Sequence, residues 1–316
     1  MASSLSRGAI MLAATIARRF YIDGESKSEI AESIGLSRFK VARMLEQSVR
    51  EGIIRFEIVT PSSFNHELSE ELRKAFGLRR VVVVDLLEED ETMAVMRQSV
   101  GRAAAEVLSE LVEESDVLGV GWGRTLSVMS EELRSIAPCL VVQMAGIVGS
   151  INENSLELAR KISQVGGGQA YPLFVPLIVQ DAQTAESLRS QPGVSAALEL
   201  AGKITVAAVA VGSWNPPESQ MMAALTLQER DELQEKGVVA EILSTLIRAD
   251  GSIVTDLLER SIAASLETLR GIPELILIAG GARKADAVRA VIAAGLGTTL
   301  VTDNRMAERM LRSVRP

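Results

Sequence analysis

Two glycine turns of the chain carry a basic side chain where a helix is expected to begin. The first is Gly121-Trp122-Gly123-Arg124-Thr125 and the second is Gly280-Gly281-Ala282-Arg283-Lys284. Glycine lets a backbone approach a ligand closely, and a helix start offers unpaired N–H groups at the positive end of its dipole. Backbone donors combined with a cation suit a phosphate group. The alternative, ordinary strand-to-helix turns, stays open for either turn taken alone.

The spacing of these glycines does not match a nucleotide-binding motif. Gly119, Gly121 and Gly123 alternate with single residues, which is not Gly-x-Gly-x-x-Gly, and no Gly-x4-Gly-Lys-Ser/Thr element occurs. The turns therefore favour a small phosphorylated ligand over a dinucleotide or a nucleoside triphosphate. We expect no cofactor.

Histidine and cysteine are each present only once. Zinc sites and Ser-His-Asp catalysis both depend on histidine, and His66 lies in a polar stretch, so we interpret it as a solvated surface residue. Cys139 has no partner within the chain for a disulfide, which fits a reducing compartment. We expect neither a metal site nor a catalytic residue.

A second set of candidate residues lies near the N-terminus, where the charge differs from that of the rest of the chain. Residues 1–60 carry nine Lys/Arg against seven Asp/Glu, a net charge of +2, whereas the rest carries 24 against 34, a net charge of −10. The candidates are basic, polar or aromatic residues around two predicted helix starts: Lys27, Ser37, Arg38, Phe39, Lys40 and Arg43.

Three predicted helices position those candidates. Apolar spacing predicts helices over residues 10–22, 27–34 and 38–51, with Ser26 and Ser37 as N-caps and Gly35 in the tight turn between the last two. The run Ile-Ala-x-x-Ile-Gly-Leu-Ser-x-x-x-Val-x-x-Met-Leu that begins at Ile30 is typical of a helix-turn-helix. In that motif, the start of the last helix enters the major groove of DNA. The alternative is a helical bundle with a solvated basic face.

The remaining chain alternates strands with helices. A strand over 53–59 and a linker at Pro61-Ser62-Ser63 follow the helices, and residues 65–76 form another helix. The predicted strands of the rest are 81–84, 117–120, 140–144, 170–175, 204–211, 275–279 and 299–302. The predicted helices of the same region are 92–112, 155–165, 182–190, 194–201 and 284–294, and a last helix, 306–312, follows the final strand. This alternation predicts an α/β fold with a Rossmann-like, mainly parallel sheet, interrupted by a polar excursion or lid at 214–236.

Ligands of such sheets bind beyond the carboxyl ends of the strands, and further glycines follow or precede strands there. They are Gly146 with Gly149-Ser150, Gly166-Gly167-Gly168 and Gly212-Ser213.

No apolar run is long enough to cross a membrane. Residues 9–17 are apolar, but Arg18 and Arg19 stand where the cleavage site of a signal peptide should be, so we expect a cytoplasmic protein without a membrane partner.

Both regions together resemble the SorC/DeoR-type bacterial transcriptional regulators, which carry a sugar-binding effector domain. The resemblance covers nearly the whole chain. In the first region it rests on Ser28–Ala31, Gly35–Ser37, Val41–Leu45 and Glu51–Ile54. In the second it rests on Gly119–Thr125, Ala249–Gly251, Leu275–Lys284, Ala287–Ala290 and Leu300–Asp303.

The resemblance implies a helix-turn-helix domain over 1–60 and a sugar-phosphate-binding and oligomerisation domain over 61–316. It also implies operator DNA as a partner, homodimers or homotetramers on palindromic operators, and a phosphorylated sugar or polyol as effector. By matching position, the effector-binding residues would be Gly121, Gly123, Arg124, Thr125, Arg260, Gly280, Gly281 and Lys284. Phe39 and Lys40 depart from the small or proline-type residues that the family often has there, and no aromatic pair precedes Ala249.

The alternative function is a sugar-phosphate isomerase or deaminase with an accessory N-terminal domain. The expected sheet and phosphate turns are compatible with it. Enolisation and ring opening need positioned acids and bases, commonly histidine with carboxylates, and only Asp250 and Asp303 are candidate bases here. We therefore favour a ligand-responsive DNA-binding regulator over an enzyme.

Overall fold

The computed structural model describes residues 7–54, 64–87, 92–148 and 155–312, and the chain divides into two compact units, Met1–Pro61 and Ser62–Pro316. In this described part, no helix has both the length and the apolar character needed to span a membrane. The predicted strand 53–59 falls mostly, and the predicted linker 61–63 entirely, on residues 55–63, which lie outside the described ranges.

The first unit contains three helices around a small apolar core. They are α1 (Arg7–Tyr21), α2 (Lys27–Ile34) and α3 (Arg38–Arg50). Ile16, Ile30, Val41 and Leu45 are buried between them. The core therefore fixes α3 against both preceding helices.

The ends of α2 and α3 are determined by local hydrogen bonds that the sequence predicts. Ser26 and Glu29 form a reciprocal capping box, and the Ser37 side chain accepts a hydrogen bond from the Lys40 N–H. Gly35 ends α2 at φ 68°, a left-handed conformation that favours glycine. The turn before α3 is thus well defined.

The second unit is built on a parallel sheet of seven strands. They are β1 (Arg80–Val84), β2 (Val117–Val120), β3 (Leu140–Gln143), β4 (Ala170–Tyr171), β5 (Val206–Ala210), β10 (Glu274–Ile278) and β11 (Thr299–Asp303), in the order β1-β11-β10-β5-β2-β3-β4. The four strands that lie between β5 and β10 in the chain form a separate sheet. The predicted α/β fold with a mainly parallel sheet is confirmed.

The described helices of the second unit are α4 (His66–Phe76), α5 (Met93–Leu111), α6 (Arg124–Glu132), α7 (Ser155–Gly166), α8 (Ala182–Arg189), α9 (Pro192–Ala201), α10 (Leu227–Glu235), α11 (Leu266–Gly271), α12 (Ala285–Ala293) and α13 (Asn304–Arg312). α4, α12 and α13 pack on one face of the parallel sheet, and α5, α6 and α7 pack on the other. Successive residues of one strand pack on opposite faces: Leu275 joins the core on one side and Ile276 the core on the other. This burial explains why the strands are continuously apolar.

The main difference from the predicted fold is a second, antiparallel sheet. Its strands are β6 (Gly212–Ser213), β7 (Val238–Ile242), β8 (Thr245–Arg248) and β9 (Ile253–Val254). The two-residue loop between β7 and β8 is Leu243–Ser244, with Leu243 at φ 54°. Hairpin loops are usually marked by Asn-Gly or Asp-Gly, and that signal is missing here. The predicted excursion 214–236 contains a 3₁₀ turn (Met221–Ala224) and α10, and it leads into this sheet.

Smaller differences concern element ends. The predicted strand 170–175 is only Ala170–Tyr171, because Pro172 follows and β4 lies at the edge of the sheet. The helix predicted from Lys284 begins as a 3₁₀ turn (Ala282–Lys284) before α12. His66 is exposed, as predicted.

Candidate functional site

A cleft of the second unit lies where the direction of the sheet connections reverses. β2 leads through α6 to β3 on one side, whereas β5 leads to β10 on the other, and β2 and β5 are neighbours. The carboxyl ends of such a strand pair leave a crevice, which is the usual ligand position in open α/β sheets. Residues directly after β2, β5 and β10 line it.

This cleft, which we call the switch-point cleft, has a cavity volume of about 50 Å³ and opens into a space of about 620 Å³ that includes the solvent at its mouth. Its lining residues are Met93, Met96, Arg97, Trp122, Gly123, Arg124, Thr125, Ala210, Val211, Gly212, Glu218, Gln220, Glu241, Leu243, Ile278, Ala279, Gly280 and Lys284.

The start of α6 supplies donors to one wall of the cleft. Gly123 is the N-cap at φ 151°, and among the described residues no side chain caps this helix. A Cβ on Gly123 would lie 2.8 Å from Cβ of Ala210, so only glycine fits between β2 and β5 here. The first N–H groups of α6 and the positive end of its dipole therefore border the cleft beside Arg124 and Thr125.

Lys284 lies on the wall formed after β10. Its Nζ donates to the main-chain oxygen of Val211 at 3.2 Å. Burial lowers the pKa of Lys284 below its usual value. The negative charge of Glu218 partly opposes this effect, and the positive charge of Arg124 adds to it. An anion bound in the cleft would favour the charged lysine, so the site is suited to a phosphate.

A buried carboxylate forms part of the cleft on the antiparallel sheet. Glu241 is 3% exposed and accepts hydrogen bonds from Trp214 Nε1 and Ser219 Oγ, each at 2.5 Å. Burial raises the pKa of Glu241 to about 7, against the opposing effects of both hydrogen bonds and of Lys284. A Cβ on Gly212 would lie 2.2 Å from Oε1 of Glu241, so the glycine makes room for the carboxylate.

Glu218 joins the loop after β6 to both glycine turns. Its main-chain oxygen accepts from Arg124 Nη2 at 3.3 Å, and its carboxylate pairs with Arg283 at 3.6 Å. The predicted excursion thus contacts the residues that follow β2 and β10.

The structure brings together most of the predicted effector-binding residues. Gly123, Arg124, Thr125, Gly280 and Lys284 line the switch-point cleft.

The other three predicted effector residues lie outside the cleft lining. Gly121 donates its N–H to the Ala208 oxygen, and Gly281 donates to Asp303 Oδ2. Both glycines therefore shape turns beside the cleft. Arg260 lies in a different cavity, where it pairs with Glu229, so the structure does not bring it to the cleft.

The remaining strand-end glycines mostly serve packing. A Cβ on Gly146 would lie 2.6 Å from the Val175 oxygen, and one on Gly168 would lie 1.8 Å from the Cys139 oxygen. Gly149 and Ser150 lie outside the described residues. Gly212, in contrast, lines the cleft.

Sequence reasoning missed the lining residues that come from α5 and the antiparallel sheet. Met93, Met96 and Arg97 reach the cleft from the first turns of α5, and Glu241 comes from β7. A single acid within the apolar run 238–247 was the available signal for Glu241, because buried carboxylates are rare unless they have a role. Nothing local marks the α5 residues.

The two candidate bases of the alternative enzyme have structural partners. Asp303 accepts from the N–H groups of Gly281 at 2.5 Å and Met306 at 3.1 Å, which ties β11 to α13. Asp250 accepts from the N–H and hydroxyl of Ser252 in the turn between β8 and β9. Neither residue lines the switch-point cleft.

In the first unit, the start of α3 presents an exposed basic surface, which we call the α3 surface. Its residues are Ser37, Arg38, Phe39, Lys40 and Arg43, all exposed. The predicted Lys27 is half-buried, with Nζ 5.3 Å from the centroid of the Phe20 ring.

The ion pairs of this unit lie away from the α3 surface. Arg18 pairs with Asp23, Arg19 with Glu25, and Arg50 with Glu46. Among the described residues, no acid lies within 4.0 Å of the charged groups of Arg38, Lys40 or Arg43. The positive charge of the α3 surface is therefore not neutralised within the described part of the unit.

Comparison with known proteins shows to which class of protein the chain belongs. The Sugar-bind family model, which describes a sugar-binding domain, matches residues 60–312. The uncharacterized transcriptional regulator YjhU of Escherichia coli (strain K12) is 30% identical over 307 residues, which is 92% of each chain. The erythritol catabolism regulatory protein EryD of Brucella abortus (strain 2308) is 28% identical over 304 residues, 92% of this chain and 93% of EryD. The structure of the full-length sorbitol operon regulator SorC from Klebsiella pneumoniae superposes with a TM-score of 0.72 at 21% identity, covering 96% of this chain and 99% of SorC.

The fold and the matches thus define the class of protein: an N-terminal helical unit followed along the chain by a sugar-binding α/β domain. The chain belongs to the SorC/DeoR family of sugar-binding transcriptional regulators. Because these relatives are regulators, the prediction that the chain is not an enzyme is confirmed.

Proposed function

We propose that this regulator controls a carbohydrate or polyol catabolic operon, and that a phosphorylated sugar or polyol bound in the switch-point cleft alters its binding to operator DNA. The observation that supports this most directly is the convergence of Arg124 and Lys284, each beside a helix start, on one cleft. Two cations with backbone donors match a phosphate dianion in charge.

In this proposal, Gly123, Arg124, Thr125, Gly280 and Lys284 hold the phosphate, and Gly121 and Gly281 shape the two turns. Arg260 remains a prediction from the resemblance, since its cavity is a separate one. Carboxylates accept hydrogen bonds from hydroxyls, so Glu218 and Glu241 suit the polyol part of the ligand. The function printed in the name of EryD, erythritol catabolism, supports a polyol among the ligands to be tested.

The DNA-binding part of the proposal rests on the α3 surface. Residues 1–60 would form the helix-turn-helix domain, and 61–316 would form the effector and oligomerisation domain. Ser37, Arg38, Phe39, Lys40 and Arg43, with Lys27 nearby, would contact the operator from a homodimer or homotetramer in the cytoplasm. A ligand changes operator binding only through its difference in affinity between the DNA-competent and incompetent states.

The test combines thermal unfolding with gel shifts on the full-length protein. The DNA is a duplex selected from a randomised pool by the protein, and the panel contains ribose 5-phosphate, fructose 6-phosphate, glucosamine 6-phosphate and erythritol phosphate, each beside its unphosphorylated form. At 100 times Kd a ligand adds about 2.7 kcal/mol of stability, which should raise Tm by roughly 5–10 °C for a domain of this size.

We expect at least one phosphorylated member to raise Tm and to change the DNA affinity, while its unphosphorylated form does neither. If the whole panel changes neither quantity, the phosphorylated-effector proposal is wrong. If the selection recovers no preferred DNA sequence, the proposed operator binding is wrong.

A further inference from the structure

Phe39 is the most exposed large apolar side chain in the described part of the chain, at 84%. It is the second residue of α3, and none of the apolar side chains that form the core of the first unit packs against it. A phenyl ring left in water at a helix start contributes nothing to the folded unit by burial.

The position of Phe39 is nevertheless firmly held. The Ser37 side chain caps α3 through the Lys40 N–H, and Val41 and Leu45 bury the opposite side of the helix in the core. The ring is therefore presented on a rigid backbone that is already ordered before any partner binds. Ordering it on binding costs little beyond the side-chain rotamers.

The charges around Phe39 identify the kind of partner. Arg38 and Lys40 flank the ring in sequence, and Arg43 lies one turn further along α3. The ion pairs described in this unit involve different arginines, Arg18, Arg19 and Arg50. A surface whose three cations have no acidic partner among the described residues, and which surrounds one aromatic ring, suits a polyanion that also offers an apolar group. DNA does so in its major groove, where the apolar group is the 5-methyl of thymine.

We propose that Phe39 contacts a thymine 5-methyl group in the operator and so determines part of the sequence preference, an inference that rests on the DNA-binding function proposed above. A phenyl ring has no hydrogen-bond donor or acceptor for the base edges. Its contribution to specificity is therefore apolar contact, whereas Arg38, Lys40 and Arg43 contact phosphates or guanine edges.

The experiment uses full-length protein and the duplex that the wild-type protein selects from a randomised pool. Each thymine is replaced in turn by deoxyuridine, which removes only the methyl group. Removal of one contacted methyl should weaken wild-type binding about fourfold. The Phe39→Ala variant should bind the thymine duplex about fourfold more weakly, and should show no further loss with deoxyuridine at that position.

Two variants serve as controls. Phe39→Leu keeps an apolar side chain and should retain part of the discrimination between thymine and deoxyuridine. Ile22→Ala removes another exposed apolar residue of the same unit, at 77% exposure, and should leave that discrimination unchanged.

The inference is overturned if no deoxyuridine substitution weakens wild-type binding, or if the same loss persists in Phe39→Ala. Equal weakening of every duplex by Phe39→Ala would also overturn it, since the ring would then act without regard to sequence. If the selection recovers no preferred duplex, the DNA-binding proposal and this inference are both wrong. Selection of a duplex that lacks the methyl effect overturns the Phe39 inference alone.

Discussion

Arg124 Nη2 donates to the main-chain oxygen of Glu218 at 3.3 Å, which joins the first turn of α6 to the loop after β6. Through its carboxylate, Glu218 also pairs with Arg283 beside the second glycine turn. A phosphate in the switch-point cleft would therefore engage a guanidinium that already contacts this loop. Under the proposed function, Arg124 would couple ligand binding to the position of this loop.

Replacing Arg124 by alanine should weaken binding of the effector found in the ligand panel. Loss of hydrogen bonds from a charged group costs about 1.5–3 kcal/mol, so Kd should rise roughly 10- to 100-fold. Isothermal titration measures the change, and Arg160→Ala on α7, half-exposed and paired with Glu157, is the matched control. Unchanged affinity in Arg124→Ala would remove this residue from the phosphate site.

The Glu241→Gln variant should be more stable than the wild type above pH 7. The folded-state pKa of Glu241 is raised to about 7 from 4.5, so the folded protein holds a proton that the unfolded chain has released in this window. The contribution of Glu241 to the stability of the wild type should therefore fall as pH rises from about 4.5 to 7, by roughly 3 kcal/mol in all. The amide of glutamine has no such dependence.

Urea unfolding at several pH values between 5 and 8 measures this effect. Glu186→Gln, an exposed carboxylate on α8, should keep the wild-type pH dependence. The interpretation fails if Glu241→Gln and wild type lose stability in parallel across this range.

Gly212→Ala should destabilise the second unit, because the added methyl would lie 2.2 Å from the buried Glu241 carboxylate. We expect a loss of about 2 kcal/mol, the usual cost of overpacking a core. Combining it with Glu241→Ala should cost less than the sum of the two single changes, which a double-mutant cycle of unfolding free energies would show. Gly193→Ala, with open space around its Cβ, is the control. Additive losses would mean that the methyl is accommodated elsewhere.

Arg43→Ala should weaken binding to the selected duplex while leaving ligand-induced stabilisation unchanged. Loss of one phosphate contact should also lower the slope of log K against log salt by about 1. Arg50→Ala removes an exposed arginine of the same helix that is paired with Glu46, and it should have little effect on either quantity. Loss of both DNA binding and ligand response in Arg43→Ala would contradict separate DNA and effector sites.

The sequence predicted the parallel sheet and the helix ends well because their signals are local. Buried strands such as Val81–Val84 must be continuously apolar, and caps such as Ser37 act on residues three positions away. Five predicted effector residues lie together for a related reason: residues after parallel strands necessarily meet at one edge of the sheet.

The acidic part of the cleft was not predictable in the same way. Glu241 reaches it through a hairpin whose turn residue, Leu243, takes a positive φ without the glycine or asparagine that would have marked it. Arg97 enters from α5, and that approach depends on how the helix packs across the sheet. Arg260 was predicted as an effector residue from its matching sequence position, but it lies in a different cavity.

β1 pairs in parallel with β11, so the first strand of the sheet lies beside the last. During synthesis, β1 leaves the ribosome roughly 10–40 s before β11 exists, at about 5–20 residues per second. The helical unit is complete before either strand has been made. A chain truncated by a late stop codon would therefore carry an intact α3 surface and an unfinished sheet, and an edge strand without its neighbour is prone to aggregation.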